Sequence, residues 1–175
     1  MPVSTLALND GTEVPWIAFG TGTALLGRDA TKIVSVAIQN GFTHLDGAQM
    51  YLNEASLGAG IVASRKPRSE LYITTKLASL APGETPKNAL VKSLERLDVD
   101  YVDLYLVHQP WQHVGRLKEV WKGMEEAKAA GLTKSIGVSN FTADHLEEIL
   151  EVATVLPAVN QVKMHASPRR SSVIH

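Results

Sequence analysis

The stretch Leu71-Tyr72-Ile73-Thr74-Thr75 is short, rich in aromatic and β-branched residues, and stops at the cation Lys76. Two other stretches repeat the pattern. Phe42-Thr43-His44-Leu45 runs into Asp46, and Val102-Asp103-Leu104-Tyr105-Leu106-Val107 runs into His108. Short apolar runs of this composition read as sheet strands, which puts each polar residue at the end of its strand. In a parallel sheet those ends share one rim, so Asp46, the nearby Tyr51, Lys76 and His108 can meet although they are far apart in sequence.

Outward from these runs, the chain alternates strand and helix signals every roughly 25 to 32 residues, the size of one βαβ step. A hairpin signal stands at Asn9-Asp10-Gly11-Thr12. The first strand is expected at Trp16 to Gly20, the fifth at Lys134 to Val138, and the sixth at about Ala158 to Met164. Between strands, apolar residues recur three and four apart, as in Ile33, Val34, Ala37 and Ile38, and again in Leu117, Val120, Trp121, Met124 and Ala127. Thr85-Pro86 offers an N-cap followed by a first-turn proline, and Gly41 and Gly131 stand where left-handed helix stops belong. The order read is a hairpin, five strand–helix units and a sixth strand.

Two α/β architectures accommodate that order, an open doubly wound sheet and a closed (β/α)8 barrel of the TIM type. Gly20-Thr21-Gly22 after the first strand and Asp46 after the second imitate a dinucleotide fingerprint. That fingerprint needs a third glycine for close helix packing, where this chain has Leu25 and its next glycine only at Gly27. The barrel is the preferred reading.

Composition excludes other classes. With 175 residues, 45% of them hydrophobic, the chain can bury a core as one domain. A formal net charge of -1 with scattered signs supplies no basic stripe for nucleic acid or a membrane surface. The start, Met1-Pro2-Val3-Ser4, lacks the features of a signal peptide, and no apolar run approaches the ~18 residues of a membrane span. No cysteine is present for a disulfide, a thiolate nucleophile or a thiolate metal site. Together these features read as a soluble cytoplasmic protein.

The stretch Asp46-Gly47-Ala48-Gln49-Met50-Tyr51-Leu52-Asn53-Glu54 resembles the Asp-x-Ala-x-x-Tyr-x-Asn-Glu motif of the aldo-keto reductases. Further matches follow in order: Thr74-Thr75-Lys76-Leu77, Leu106-Val107-His108-Gln109-Pro110, Gly137-Val138-Ser139-Asn140-Phe141 and Val159-Asn160-Gln161-Val162. Gly11-Thr12-Glu13-Val14-Pro15 and Phe19-Gly20-Thr21-Gly22-Thr23 are similar to that family as well. The resemblance implies a (β/α)8 barrel, NADPH as cofactor with NADH as a second choice, and reversible reduction of aldehydes or ketones to alcohols. It also implies a small-molecule carbonyl substrate and, for the full-length form, a monomer or weak dimer. In its terms Asp46, Tyr51, Lys76 and His108 are catalytic. Ser139, Asn140 and Gln161 bind the nicotinamide carboxamide, while Gly22, Thr23 and Asp46 lie close to the cofactor.

The chemistry asks for the same residue types. Hydride delivery to a carbonyl carbon leaves charge on the oxygen, which a proton donor must meet as it develops. Tyr51 is the candidate acid. A free phenol, with a pKa of about 10, is poorly matched to neutral pH, and a neighbouring ammonium such as Lys76 favours the phenolate. Asp46 pairs with and fixes the lysine, and His108 orients the carbonyl oxygen by a hydrogen bond. Trp111, just beyond, lines a substrate pocket or merely packs. Taken singly, these residues read blandly: Asp46 as a cap, Tyr51 as packing, Lys76 as a solvated strand end, His108 as an ordinary hydrogen-bonded histidine. The plainer alternative for Ser139 and Asn140 is to cap the next helix, a place Thr142 also offers.

Other patterns carry less. Gly137-Val138-Ser139 begins like a hydrolase elbow but has Phe141 where a glycine is required. His108 and His113 are not spaced to share a helix face, so no metal is expected. Asp98, Asp100 and Asp103 read as a solvated turn.

A barrel of this kind takes about 250 residues, so residues 1–165 are expected to form an incomplete one, with about six strands and five helices after the hairpin. Lys163 and Ala166 depart from the family's Asn-Gln-x-Glu-x-His-Pro, and residues 166–175 read as an unstructured tail unlike the family. An open sector predicts exposed strand edges and exposed apolar inner faces. The chain then reads as an incomplete reductase, a non-catalytic binding remnant, or an inert fragment.

Overall fold

The computed structural model describes residues 4–162. An antiparallel hairpin comes first, β1 (Thr5–Ala7) paired with β2 (Glu13–Pro15). Six parallel strands follow: β3 (Ala18–Gly20), β4 (His44–Asp46), β5 (Tyr72–Leu77), β6 (Val102–Val107), β7 (Thr133–Ser139) and β8 (Asn160–Gln161). Helices α1 (Thr31–Gln39), α2 (Glu54–Ser64), α3 (Pro86–Leu97), α4 (Leu117–Ala129) and α5 (Ala143–Leu150) occupy the crossovers. The strands lie in the sheet in chain order, β3 to β8, with no reversal. A doubly wound sheet reverses its order at a switch point, so this is a sector of a barrel. Among the described residues the sheet does not close.

Local chemistry sets the element ends. The Thr85 hydroxyl accepts the Asn88 N–H at 3.2 Å at the start of α3, and Gly41 and Gly131, at φ of 95° and 75°, end α1 and α4 in the left-handed region. Alternation along the strands separates two apolar layers. Leu45, Ile73, Leu77, Tyr105, Val107, Ile136 and Val138 pack outward against the helices, whereas Tyr72, Leu104 and Leu106 form a small inner cluster.

That inner face corrects the expectation of exposed apolar surface. His44, Tyr72, Thr74, Lys76, Leu104, Leu106 and Ser135 are at most 9% exposed. The hairpin supplies part of the cover, with Val14 packed on the inner cluster beside Val159. It is fastened there by Thr12 Oγ1 to Ser135 Oγ at 2.9 Å, Lys128 to Asp10 at 3.0 Å and Asn9 Nδ2 to the Pro157 carbonyl at 3.0 Å.

Other expectations shift as well. The first strand begins at Ala18, because Trp16 and Ile17 sit in an exposed bend and the Trp16 N–H donates to Ser4 in an extension of the hairpin. The last strand is two residues long, although Ala158 and Val159 already exchange backbone hydrogen bonds with β7. Asp103 is buried with two cations rather than part of a solvated turn. Lys163, Met164, Ala166 and the tail at 166–175 lie outside the described residues.

Candidate active site

Three strand ends and one turn converge. Asp46 is the last residue of β4, Lys76 lies near the end of β5, and His108 follows β6. Tyr51 belongs to a 3-10 turn, Gln49–Tyr51, between β4 and α2. Gln49 holds that turn. Its Oε1 accepts the Ala78 N–H at 2.8 Å, and its Nε2 donates to the Ala89 carbonyl and to Ser93 Oγ at 3.2 and 3.0 Å. Asn53 fastens the loop after β3 to the same place by donating to the Thr21 and Leu25 carbonyls, both at 2.8 Å.

Lys76 is 1% exposed, so the bland reading of a solvated strand end fails. A buried ammonium needs partners for its three protons. Nζ donates to Asp46 Oδ1, to the Gly47 carbonyl at 3.0 Å and to the Tyr51 phenol oxygen at 3.3 Å. Gln161 Nε2 reaches the other Asp46 oxygen at 3.2 Å from the far edge of the sheet. The His108 ring stands edge-on to Tyr51 with centroids 5.6 Å apart, and its Nδ1 is buried without a protein partner. Burial first, and then the Lys76 ammonium, lower the His108 pKa from 6.5 to about 4, against the pull of Asp46. His108 is therefore a neutral imidazole with one N–H at pH 7.

Behind the site, Glu54 at the start of α2 is buried and accepts from Thr75 Oγ1 at 2.6 Å and from Arg96 Nε and Nη2 at 2.8 and 2.6 Å. This ties β5, next to Lys76, to α2 and α3. Sequence reasoning gave Asn53 and Glu54 no role, although both are polar residues two and three positions after the tyrosine, a signal that they fasten its turn.

A cleft of about 690 Å³ opens over these groups. Asp46, Tyr51 and His108 face it, Ser139, Asn140 and Gln161 form a polar side, and Thr23 and Trp111 line it too. Leu26, Met50, Gln109 and Val162, which sequence reasoning missed, also line it. Ser139 Oγ donates to the Gln161 carbonyl at 2.7 Å, and Asn140 Nδ2 donates to the His108 carbonyl and to Ser139 Oγ, both at 3.0 Å. Neither caps the following helix; Thr142 does, its N–H bonding His145 Nδ1 at 3.2 Å. Gly22 touches the ring of Tyr51 rather than lining the cleft. Among the described residues no arginine or lysine lines the cleft, and no three His, Asp or Glu side chains gather as metal ligands.

The family model of the aldo/keto reductase family matches residues 16–173. The chain belongs to the aldo/keto reductase family. Among curated reductases, it is 43% identical to the glyoxal reductase of Bacillus subtilis (strain 168) over 169 residues, 94% of this chain and 60% of that protein. It is 42% identical to an aldo-keto reductase of Mycobacterium sp. (strain MCS), with 93% and 58% covered. The chain thus spans about three-fifths of these aldo/keto reductases' length. Solved reductases share the fold: one from Brucella melitensis at a TM-score of 0.81 and 34% identity, over 94% of this chain and 64% of that one. A Bombyx mori aldo-keto reductase in complex with NADP matches at 0.81 and 34%, with 94% and 59% covered.

Proposed function

We propose that this chain carries the chemistry of an NADPH-dependent carbonyl reductase that converts small aldehydes or ketones to alcohols. One observation carries the reading: a buried ammonium held between a carboxylate and a phenol that faces a cleft. Any fixed acceptor would satisfy the third proton of a merely structural lysine; here the acceptor is a phenol that can itself give up a proton into the cleft.

The polar side of the cleft fits the nicotinamide end of the cofactor. Gln161, Asn140 and Ser139 are donors and acceptors of the kind an amide requires, and their present partners are one another, Asp46 and the His108 carbonyl. The name of the Bacillus subtilis relative and the NADP in the Bombyx mori structure support the same assignment. NADPH, when bound, supplies the hydride for the carbonyl carbon. Tyr51 gives its proton to the carbonyl oxygen, Lys76 stabilises the phenolate left behind, and Asp46 holds Lys76 in place. Neutral His108 donates its one N–H to the same oxygen and orients it. Leu26, Met50 and Trp111 offer apolar surface to the rest of the substrate.

A second reading, a non-catalytic binding remnant, draws on the lack of arginine and lysine around the cleft among the described residues. Turnover separates the two. With NADPH and an aromatic aldehyde, Tyr51→Phe should lower kcat by about 10³-fold with cofactor affinity unchanged, because the phenol acts on charge present only in the transition state. A variant with undiminished kcat removes Tyr51 as the acid.

A further inference from the structure

We propose that Gly22 is a positioning residue that seats the Tyr51 phenol against Lys76, an inference that rests on the reductase reading of the site. Its backbone, at φ -77° and ψ -164°, is extended and open to any residue, so conformation does not demand glycine here. Space does. A Cβ at residue 22 would stand 2.9 Å from Tyr51 Cζ and 3.1 and 3.2 Å from its two Cε atoms, and these are its three nearest neighbours. The missing side chain is the seat of the ring's hydroxyl-bearing end.

Neither side of that contact has slack. The Thr21 N–H donates to the Asp46 carbonyl at 3.0 Å, Asn53 holds the Thr21 carbonyl, and the Leu25 N–H donates to the Gly22 carbonyl at 3.1 Å, so the loop cannot withdraw. On the ring's side, the Gly27 N–H donates to the Tyr51 carbonyl at 2.8 Å, and the His108 ring and the Lys76 ammonium stand around the phenol. A methyl group at residue 22 therefore moves Cζ, and the hydroxyl moves with it. Its bond to Lys76 is already long at 3.3 Å, and a few tenths of an ångström more take it out of hydrogen-bonding range. The strain is confined to the free end of one ring, so Gly22→Ala should fold, less stably, with a misplaced acid.

Two measurements on the full chain test this. In urea denaturation, Gly22→Ala should lower the folding equilibrium constant about tenfold in the wild-type background and leave it unchanged beside Tyr51→Leu, whose smaller side chain vacates the seat. Additive effects overturn the contact. If Gly22→Ala alone fails to fold, the double variant must fold, and its failure also overturns the proposal. In turnover with NADPH and an aromatic aldehyde, Gly22→Ala should lower kcat about 10- to 100-fold with the NADPH Kd within about twofold. A weaker Kd with intact kcat means that Gly22 merely makes room for the cofactor, and it refutes the positioning role. A wild-type chain without turnover but with the Gly22–Tyr51 coupling intact sinks the reductase reading alone.

Discussion

Opposite ends of the same strands hold two ion clusters built to opposite plans. At the C-terminal end, the buried ion is the cation Lys76, and its partners are a carboxylate, a carbonyl and a phenol. At the N-terminal end, the buried ion is the anion Asp103, and its cations reach toward solvent. Arg68 and Lys134 meet it at 2.7 and 2.8 Å, the Ile73 N–H donates to it at 2.8 Å, and both cations lie over the ring of Tyr101, at 4.1 and 4.8 Å. The side-chain partners of Asp103 are cations that hold their protons at neutral pH, and the bond to Asp103 raises the pKa of Lys134 further. One partner of Lys76 is a titratable hydroxyl beside a cleft. A buried ion pair becomes chemically useful when its last hydrogen bond goes to a group that can give up a proton where a substrate can reach it; otherwise it is a staple.

The comparison yields graded expectations. Asp103→Ala should cost about 3 kcal/mol in urea denaturation, since it orphans the buried Ile73 N–H and takes the counter-charge from Arg68 and Lys134 together, and should leave kcat unchanged in any turnover seen. A large loss of kcat at equal stability would show that the two ends are not independent. Because no arginine or lysine among the described residues lines the cleft, NADP should bind at least ~100-fold more weakly than to the Bombyx mori reductase, about 2.7 kcal/mol. Calorimetry giving equal affinities would refute this.

Lys76→Met should cost less stability than Asp103→Ala, about 2 kcal/mol, because Asp46 stays partly exposed, with a side-chain exposure of 15%, and keeps Gln161. A larger cost than that of Asp103→Ala would reverse the ranking. The smallest effect concerns pH. The unfolded chain protonates His108 near 6.5 and the folded chain only near 4, so the unfolded state binds more protons in that window and stability falls as pH drops through it. Burial lowers His44 and His113 in the same direction. His108→Asn should make the loss of stability from pH 7 to 5 shallower by about 1 kcal/mol, and an unchanged slope would place His108 in a more polar setting.

The elements were legible where a local rule dictates them. Thr85-Pro86, Gly41 and Gly131 announce helix ends because a cap or a left-handed residue is a property of neighbours in sequence. The four polar residues were legible as a group because parallel strands bring their ends together whatever lies between. What escaped depended on who packs against whom. Asp103 looked like a solvated turn because Arg68 and Lys134 approach it from other strands and loops, and Lys76 betrays nothing of its burial in isolation. The inner face was expected to be exposed, because nothing local says that Val14 comes back from the hairpin to help cover it. Gly22 carried a signal, a glycine before the turn residue Thr23, but its neighbour Tyr51 is visible only in three dimensions.

The hairpin that covers the inner face also bears on how the chain folds. Its two strands pair locally and can form within microseconds. Its fastenings join Asn9 to Pro157, Asp10 to Lys128 and Thr12 to Ser135, contacts 148, 118 and 123 residues apart. The loop entropy of such contacts must be overcome before they return any stabilisation. The first element in sequence is thus expected to be among the last to dock, since its fastenings on α4, β7 and the loop before β8 must first be in place. The closing of the hairpin over the inner face is expected to be slow, and the folding rate should respond to changes at Ser135 and Lys128 more than to changes on the outer faces of α1, α2 and α3.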